Sequence, residues 1–237
     1  MAEEQRMKKY KTIFFDLDHT LWDYETNSMQ TLQELFVQYG LQERGVHKFE
    51  DFFNRFRAVN LSLWDLYDTG KITSDVIRFE RFKQILEFFN AYESQLSEDI
   101  SRAYLDVCPT KCKLMPGAVE TLDYLSANYS LTVITNGFEE IQNIKLSSGN
   151  IHRYFKHIIT SQKAGHRKPA RGIFDYALKL SGVSCNEAIM VGDNPLTDIG
   201  GAKNASIDAV LFNPEQIDHK VEVRYEITAL SELREIL

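Results

Sequence analysis

Two carboxylates one leucine apart, Asp16 and Asp18, follow directly on the apolar run TIFF in the string FFDLDHTLWD. An acid at the end of a buried strand loses hydration, and a second acid beside it adds repulsion, so stability alone does not favour the pair. Further polar groups lie at or just beyond the ends of later apolar runs. They are Thr135, Asn136 and Gly137 in ITNG; Lys168 and Pro169 in RKP; and Gly192, Asp193, Asn194 and Asp198 in GDNPLTD. Gathered in one volume, these residues would combine several acids, one lysine and a hydroxyl–amide pair, a set suited to phosphoryl transfer. Several carboxylates stay ionised together only around a cation, and Mg²⁺ takes hard oxygen ligands. Lys168 would offset the remaining negative charge, while Thr135, Asn136 and nearby backbone N–H groups would donate to phosphoryl oxygens.

Such a gathering needs strands that end at one edge. Short, nearly uninterrupted apolar runs occur at KTIFFD (11–16), LTVITN (131–136), HIIT (157–160), AIMVGD (188–193) and DAVLF (208–212). Their texture predicts strands buried on both faces, as in a parallel sheet. From residue 116 onward, helical patterns alternate with these runs. PGAVETLDYL opens with Pro116, ARGIFDYALKLSG closes at Gly182, and PLTDIGGAKNA opens with Pro195. Strand–helix alternation of this kind predicts a doubly wound α/β sheet. Between the first and second runs the chain reads as helical and rich in aromatic residues. NSMQTLQELFVQYG ends at Gly40, and SDVIRFERFKQILEFFNAY follows Ser74 as a possible cap. A helical cap over residues 22–112 is therefore expected, inserted into a catalytic core of residues 1–21 and 113–237.

The ordered set DLDHT, ITNG, RKP and GDNPLTD resembles the four motifs of the haloacid dehalogenase superfamily, and the insertion point matches its helical-cap subclass. The resemblance implies strand order 3-2-1-4-5 and Mg²⁺ as cofactor. It implies that Asp16 is the nucleophile and that Asp18 is the general acid and base, its carbonyl also a metal ligand. Asp193 would be the third ligand to the metal, which Asp16 also binds. Asp198 would orient a metal-bound water or Lys168, Asn194 would assist, Thr20 would order the first loop, and Asn136 and Lys168 would hold the phosphoryl group. Asp18 argues against dehalogenation, because a halide leaving group needs no proton and an alkoxide does. Ser206 departs from the pattern, since relatives usually carry Gly after Asn-Ala.

The longer string DLDHTLWDYETNS, GKIT, and Arg78, Arg81 and Phe82 resemble the bacterial pyrimidine 5′-nucleotidase branch, as does the ending YEITALSELREIL. The expected substrate is thus a small phosphate ester, a nucleoside monophosphate, with Trp22, Trp64, Tyr67 and Phe82 as possible stacking faces. A sugar-phosphate phosphatase, a phosphomutase, and a catalytically idle binding domain are the alternatives. A net charge of −7 disfavours nucleic acid and anionic membranes as partners, and no run is long and apolar enough to span a bilayer. The leading segment MAEEQRMKKYK lacks the apolar centre of a secretion signal, and Cys108, Cys112 and Cys185 make no disulfide or zinc pattern. A cytoplasmic setting is the expectation.

Overall fold

The structure, a computed structural model, describes residues 10–237; the leading segment MAEEQRMKK read above lies outside the described residues. The chain runs β1 (Thr12–Phe15), α1 (Tyr24–Gln38), α2 (Phe49–Asp68), α3 (Ser74–Phe88), α4 (Ser94–Val107), α5 (Ala118–Ser126) and β2 (Ser130–Thr135). It continues through α6 (Glu139–Ser148), β3 (Phe155–Thr160), α7 (Ser161–Ala164), α8 (Arg171–Ser181), β4 (Ala188–Gly192), α9 (Gly200–Asn204), β5 (Asp208–Phe212), β6 (Tyr225–Ile227) and α10 (Leu233–Ile236). Two compact units result. One holds the chain up to Asp23 with Leu114–Glu139 and Asn150–Leu237; the other holds Tyr24–Lys113 with Glu140–Gly149.

The first unit is built on a parallel six-stranded sheet of order β3-β2-β1-β4-β5-β6. This extends the expected 3-2-1-4-5 order by one short edge strand. Side chains alternate across the sheet with the two-residue period of a strand. Phe14, Ile134, Met190, Ala209 and Leu211 share one face with Ile173, Phe174 and Ala177 of α8 and Ala202 of α9. Their neighbours Ile13, Phe15, Val133, Ile189, Val191 and Val210, on the opposite face, are also buried, as are Leu122 and Leu125 of α5 and Leu233 of α10. Because both faces are covered, each strand reads as an unbroken apolar run.

Registration sets the site. Phe15 pairs with Val133 on one side and Val191 on the other, so Asp16 is the first residue beyond both ladders. Its N–H still donates to Val191 O at 2.9 Å. The sheet order reverses between β1 and β4, and in open α/β sheets ligands bind at the carboxyl edge of such a switch point.

The second unit is helical. Leu32, Leu35 and Phe36 of α1, Phe52, Phe56 and Leu63 of α2, Ile77, Phe82, Ile85 and Leu86 of α3, and Ile100 and Tyr104 of α4 form its core. The spacing of three and four residues puts each set on one helical face. Helix α3 starts at Ser74 with Thr73 in the cap position, one residue earlier than Ser74 as cap would give, and no side chain caps it. Among the described residues, no helix is long and apolar enough to cross a membrane, and the three cysteines are free.

Candidate active site

The loop after β1 is a tight turn. Leu17 O accepts from both Leu21 N, at 2.9 Å, and Trp22 N, at 2.8 Å, and His19 N donates to Trp22 O. His19 takes a left-handed φ of 64°, which a short polar residue tolerates better than an apolar one. The turn buries Thr20, whose hydroxyl donates to Asp193 Oδ1 at 2.9 Å and so ties the first loop to the fourth motif. Asp18 is half-buried.

Lys168 is the hub. Its ammonium is buried and donates to Asp16 Oδ1 at 2.5 Å and to Asp198 Oδ1 at 2.6 Å. Asn136 grips the same residue by its backbone: Lys168 N donates to Asn136 Oδ1 at 2.8 Å, and Asn136 Nδ2 donates to Lys168 O at 2.9 Å. The lysine loop is thereby locked to the end of β2. Thr135 Oγ1 accepts from Gly137 N at 3.0 Å, which leaves its hydroxyl proton to donate elsewhere.

The fourth motif winds into a π-helical turn over Pro195–Ile199. Asn194 Oδ1 accepts from Leu196 N and Thr197 N, satisfying donors that a helix start leaves open. Asn194 N in turn donates to Asp198 Oδ2 at 3.0 Å. Both oxygens of Asp198 are therefore engaged, one by Lys168 and one by the backbone. Gly192 is what admits this carboxylate, because a Cβ there would sit 2.3 Å from Asp198 Oδ2.

Carboxylate oxygens of Asp16, Asp193 and Asp198 lie within 4.8 Å of one another. Burial holds the Asp16 carboxyl well above the usual range, Lys168 opposes this, and Asp198 and Asp193 add to it. Burial and then Asp198 push Asp193 up to about 7, against the hydrogen bond from Thr20. Burial works against the charge on Lys168, but Asp16 and Asp198 outweigh it and raise its pKa. Three acids facing one lysine leave excess negative charge, which suits a divalent cation. The acids nearest one another are Asp16, Asp193 and Asp198; the Asp18 carboxylate is outside that set.

The family model for haloacid dehalogenase-like hydrolases matches residues 13–212. The chain belongs to that family. It is 32% identical over 232 residues to pyrimidine 5′-nucleotidase YjjG of Escherichia coli strain K12, covering 97% of this chain and 98% of YjjG. It is 26% identical to pyrimidine 5′-nucleotidase PynA of Streptococcus pneumoniae, covering 96% and 95% of the two chains. Among solved structures, YfnB of Bacillus subtilis bound to magnesium aligns with a TM-score of 0.87 at 27% identity, covering 97% of this chain and 99% of that one.

Within this hydrolase fold, the site residues read from the sequence form two hydrogen-bonded groups, Asp16, Lys168, Asp198, Asn194 and Asn136 in one and Thr20 with Asp193 in the other, and the acids of the two groups lie within 4.8 Å of one another. Sequence reasoning named Gly192 without giving it a role and did not reach Gln162. Gly192 makes room for Asp198, and Gln162 Oε1 accepts from Glu139 N at 2.7 Å, joining the loops after β2 and β3. The glycine at a strand end was a readable signal; the glutamine, paired with a residue 23 positions away, left none. Of the four aromatic residues considered for stacking, Trp22, Tyr67 and Phe82 are buried in packing and Trp64 is half-buried against Tyr67.

Proposed function

We propose that this hydrolase is a Mg²⁺-dependent phosphomonoesterase acting on nucleoside 5′-monophosphates through an aspartyl phosphate at Asp16. The observation that carries the reading is the placement of Asp16. It follows β1 directly at the switch point, with one oxygen held by Lys168 and two further carboxylates within 4.8 Å. Asp16, Asp193 and the backbone carbonyl of Asp18 are the candidate ligands for Mg²⁺. When bound, the ion neutralises the acids and withdraws charge from the phosphoryl oxygens.

The remaining steps belong to side chains. Lys168 fixes the Asp16 carboxylate, whose other oxygen attacks phosphorus. Asp18 passes a proton to the departing ester oxygen and then takes one from the water that cleaves the aspartyl phosphate, a role typically worth about 10²–10⁴-fold in rate. The Thr135 hydroxyl and the Asn136 side chain donate to phosphoryl oxygens. Asp198 keeps Lys168 aimed, and the helical unit serves as the cap. A nucleotide as substrate is supported by the similarity to YjjG and PynA, both pyrimidine 5′-nucleotidases, and by the matching strings in this chain.

The test is phosphate release from a panel of nucleoside monophosphates and sugar phosphates, with Mg²⁺ or with chelator, beside Asp16→Asn. Metal-dependent release favouring pyrimidine nucleotides and abolished by the substitution is expected. A preference for sugar phosphates would keep the mechanism and remove the nucleotide. A requirement for a bisphosphate would indicate a mutase, and no release from any ester would indicate an idle domain.

A further inference from the structure

A lysine carries its ammonium on a long flexible stem, so the charge is placed only as well as the backbone beneath it is held. The loop carrying Lys168 is held at three consecutive carbonyls. Arg167 O accepts from Ala170 N at 2.9 Å, Lys168 O from Asn136 Nδ2 at 2.9 Å, and Pro169 O from Asn204 Nδ2 at 3.2 Å. The first bond closes a local turn, and the second ties the loop to the end of β2. The third comes from α9, a helix that carries none of the acids of the site.

Helix α9 lies directly on the loop. Gly201 is buried, and a Cβ there would stand 3.1 Å from Pro169 Cα and 2.5 and 2.8 Å from Cε2 and Cζ of the Phe174 ring. A glycine lets the α9 backbone come this close. Asn204 stands three residues on and so shares the helical face of Gly201. The helix stops just beyond it, where Ala205 N and Ser206 N donate back to Ala202 O and Lys203 O. At its other end α9 follows the π-helical turn of the fourth motif without a break. Asp198 in that turn accepts from Lys168 Nζ at 2.6 Å. One continuous segment, 198–204, therefore grips the tip of the Lys168 side chain and the backbone at its base.

Packing does not demand the bond to Pro169. Asn204 is exposed, and water would satisfy the carbonyl in its place. Water would not supply a fixed position. We propose that Asn204 is a positioning residue: through Pro169 it fixes the backbone from which Lys168 aims its ammonium at Asp16. The inference rests on the phosphatase reading above and extends the support of that site to a side chain on α9 that touches none of its acids.

The experiment measures kcat and KM on phenyl phosphate with Mg²⁺, and the melting temperature, for full-length wild type, Asn204→Ala, Asn204→Asp and Asn204→Gln. Asn204→Asp keeps the shape and loses the donor, whereas Asn204→Gln keeps the donor on a longer stem. Asn204→Ala and Asn204→Asp are expected to lower kcat about three- to tenfold, as for one neutral hydrogen bond felt in the transition state, with KM within about twofold. Asn204→Gln should recover at least about half of the wild-type kcat. A purely structural bond would lower the melting temperature and leave kcat unchanged. That result, or an equal loss of kcat in all three variants, overturns the proposal. Failure of the phosphatase reading looks different, since wild type itself would then be inert toward phenyl phosphate and the positioning role would fall with it.

Discussion

Replacing Gly192 by alanine should disable the site from behind. The added Cβ would stand 2.3 Å from Asp198 Oδ2, 2.5 Å from its Cγ and 2.6 Å from its Cβ, distances that real Cβ contacts do not reach. Asp198 is 1% exposed and cannot swing into solvent. It must give up its bond to Lys168 Nζ at 2.6 Å, its bond from Asn194 N at 3.0 Å, or both. Hydrogen bonds to a charged group contribute about 1.5–3 kcal/mol each. Overpacking a tight interior adds about 1–3 kcal/mol. A total loss of roughly 3–6 kcal/mol follows if one bond goes and the core strains. If about 3 kcal/mol of that reaches the transition state through a misaimed Lys168, turnover falls roughly 10²-fold.

Denaturant melts and turnover on phenyl phosphate measure both effects. A double-mutant cycle with Asp198→Gly isolates the cause, since that change removes all three clashing atoms. In the Asp198→Gly background, Gly192→Ala should cost less than about 1 kcal/mol. An undiminished cost there would refute the reasoning, because the clash would then lie with something other than Asp198.

Other substitutions test local physics away from the chemistry. Ser206 holds a left-handed φ of 60°, so Ser206→Gly should raise stability by about 0.5–1 kcal/mol in thermal melts with turnover unchanged. Glu187 pairs with Lys11 and accepts from Ser184 N and Ser184 Oγ, and these partners, Lys11 foremost, hold its carboxyl down at about 2. Between that value and the ordinary 4.5 the folded chain binds fewer protons than the unfolded one, so this contribution is complete above pH 4.5 and lost as pH falls toward 2. Melts of wild type and Glu187→Gln should therefore differ near neutrality and converge in acid; a gap that stays constant with pH would contradict the assignment.

The central strands were legible because each is buried on both faces and reads as apolar without interruption. β6 has three residues, of which only Ile227 is buried; composition alone does not single it out, but the resemblance of YEITALSELREIL to a closing strand and helix did. Gly182 was legible as a helix stop, and its φ of 69° shows why glycine stands there. Ser206 was visible as a departure from the pattern the resemblance implies, and its φ of 60° is one that glycine adopts without strain. The partition of the acids was harder to read. Spacing brings Asp16, Asp193 and Asp198 to one edge, but only coordinates show that Lys168 and Asn194 N occupy both oxygens of Asp198. Arg81 was only partly legible: four residues from both Ile77 and Ile85, it sits on the apolar face of α3, but an arginine there ordinarily carries its head group out to water instead of burying it.

The most direct measurement traps the covalent step. The Mg²⁺-loaded enzyme is mixed with an excess of a substrate it turns over, quenched in acid within the first turnovers, and digested for peptide mapping by mass spectrometry. A phosphoryl group on the peptide containing Asp16, absent when the enzyme carries Asp16→Asn, is the expected result. Phosphate release by Asp16→Asn at the wild-type rate, or a phosphoryl group found on another residue, would contradict the assignment of Asp16 as nucleophile.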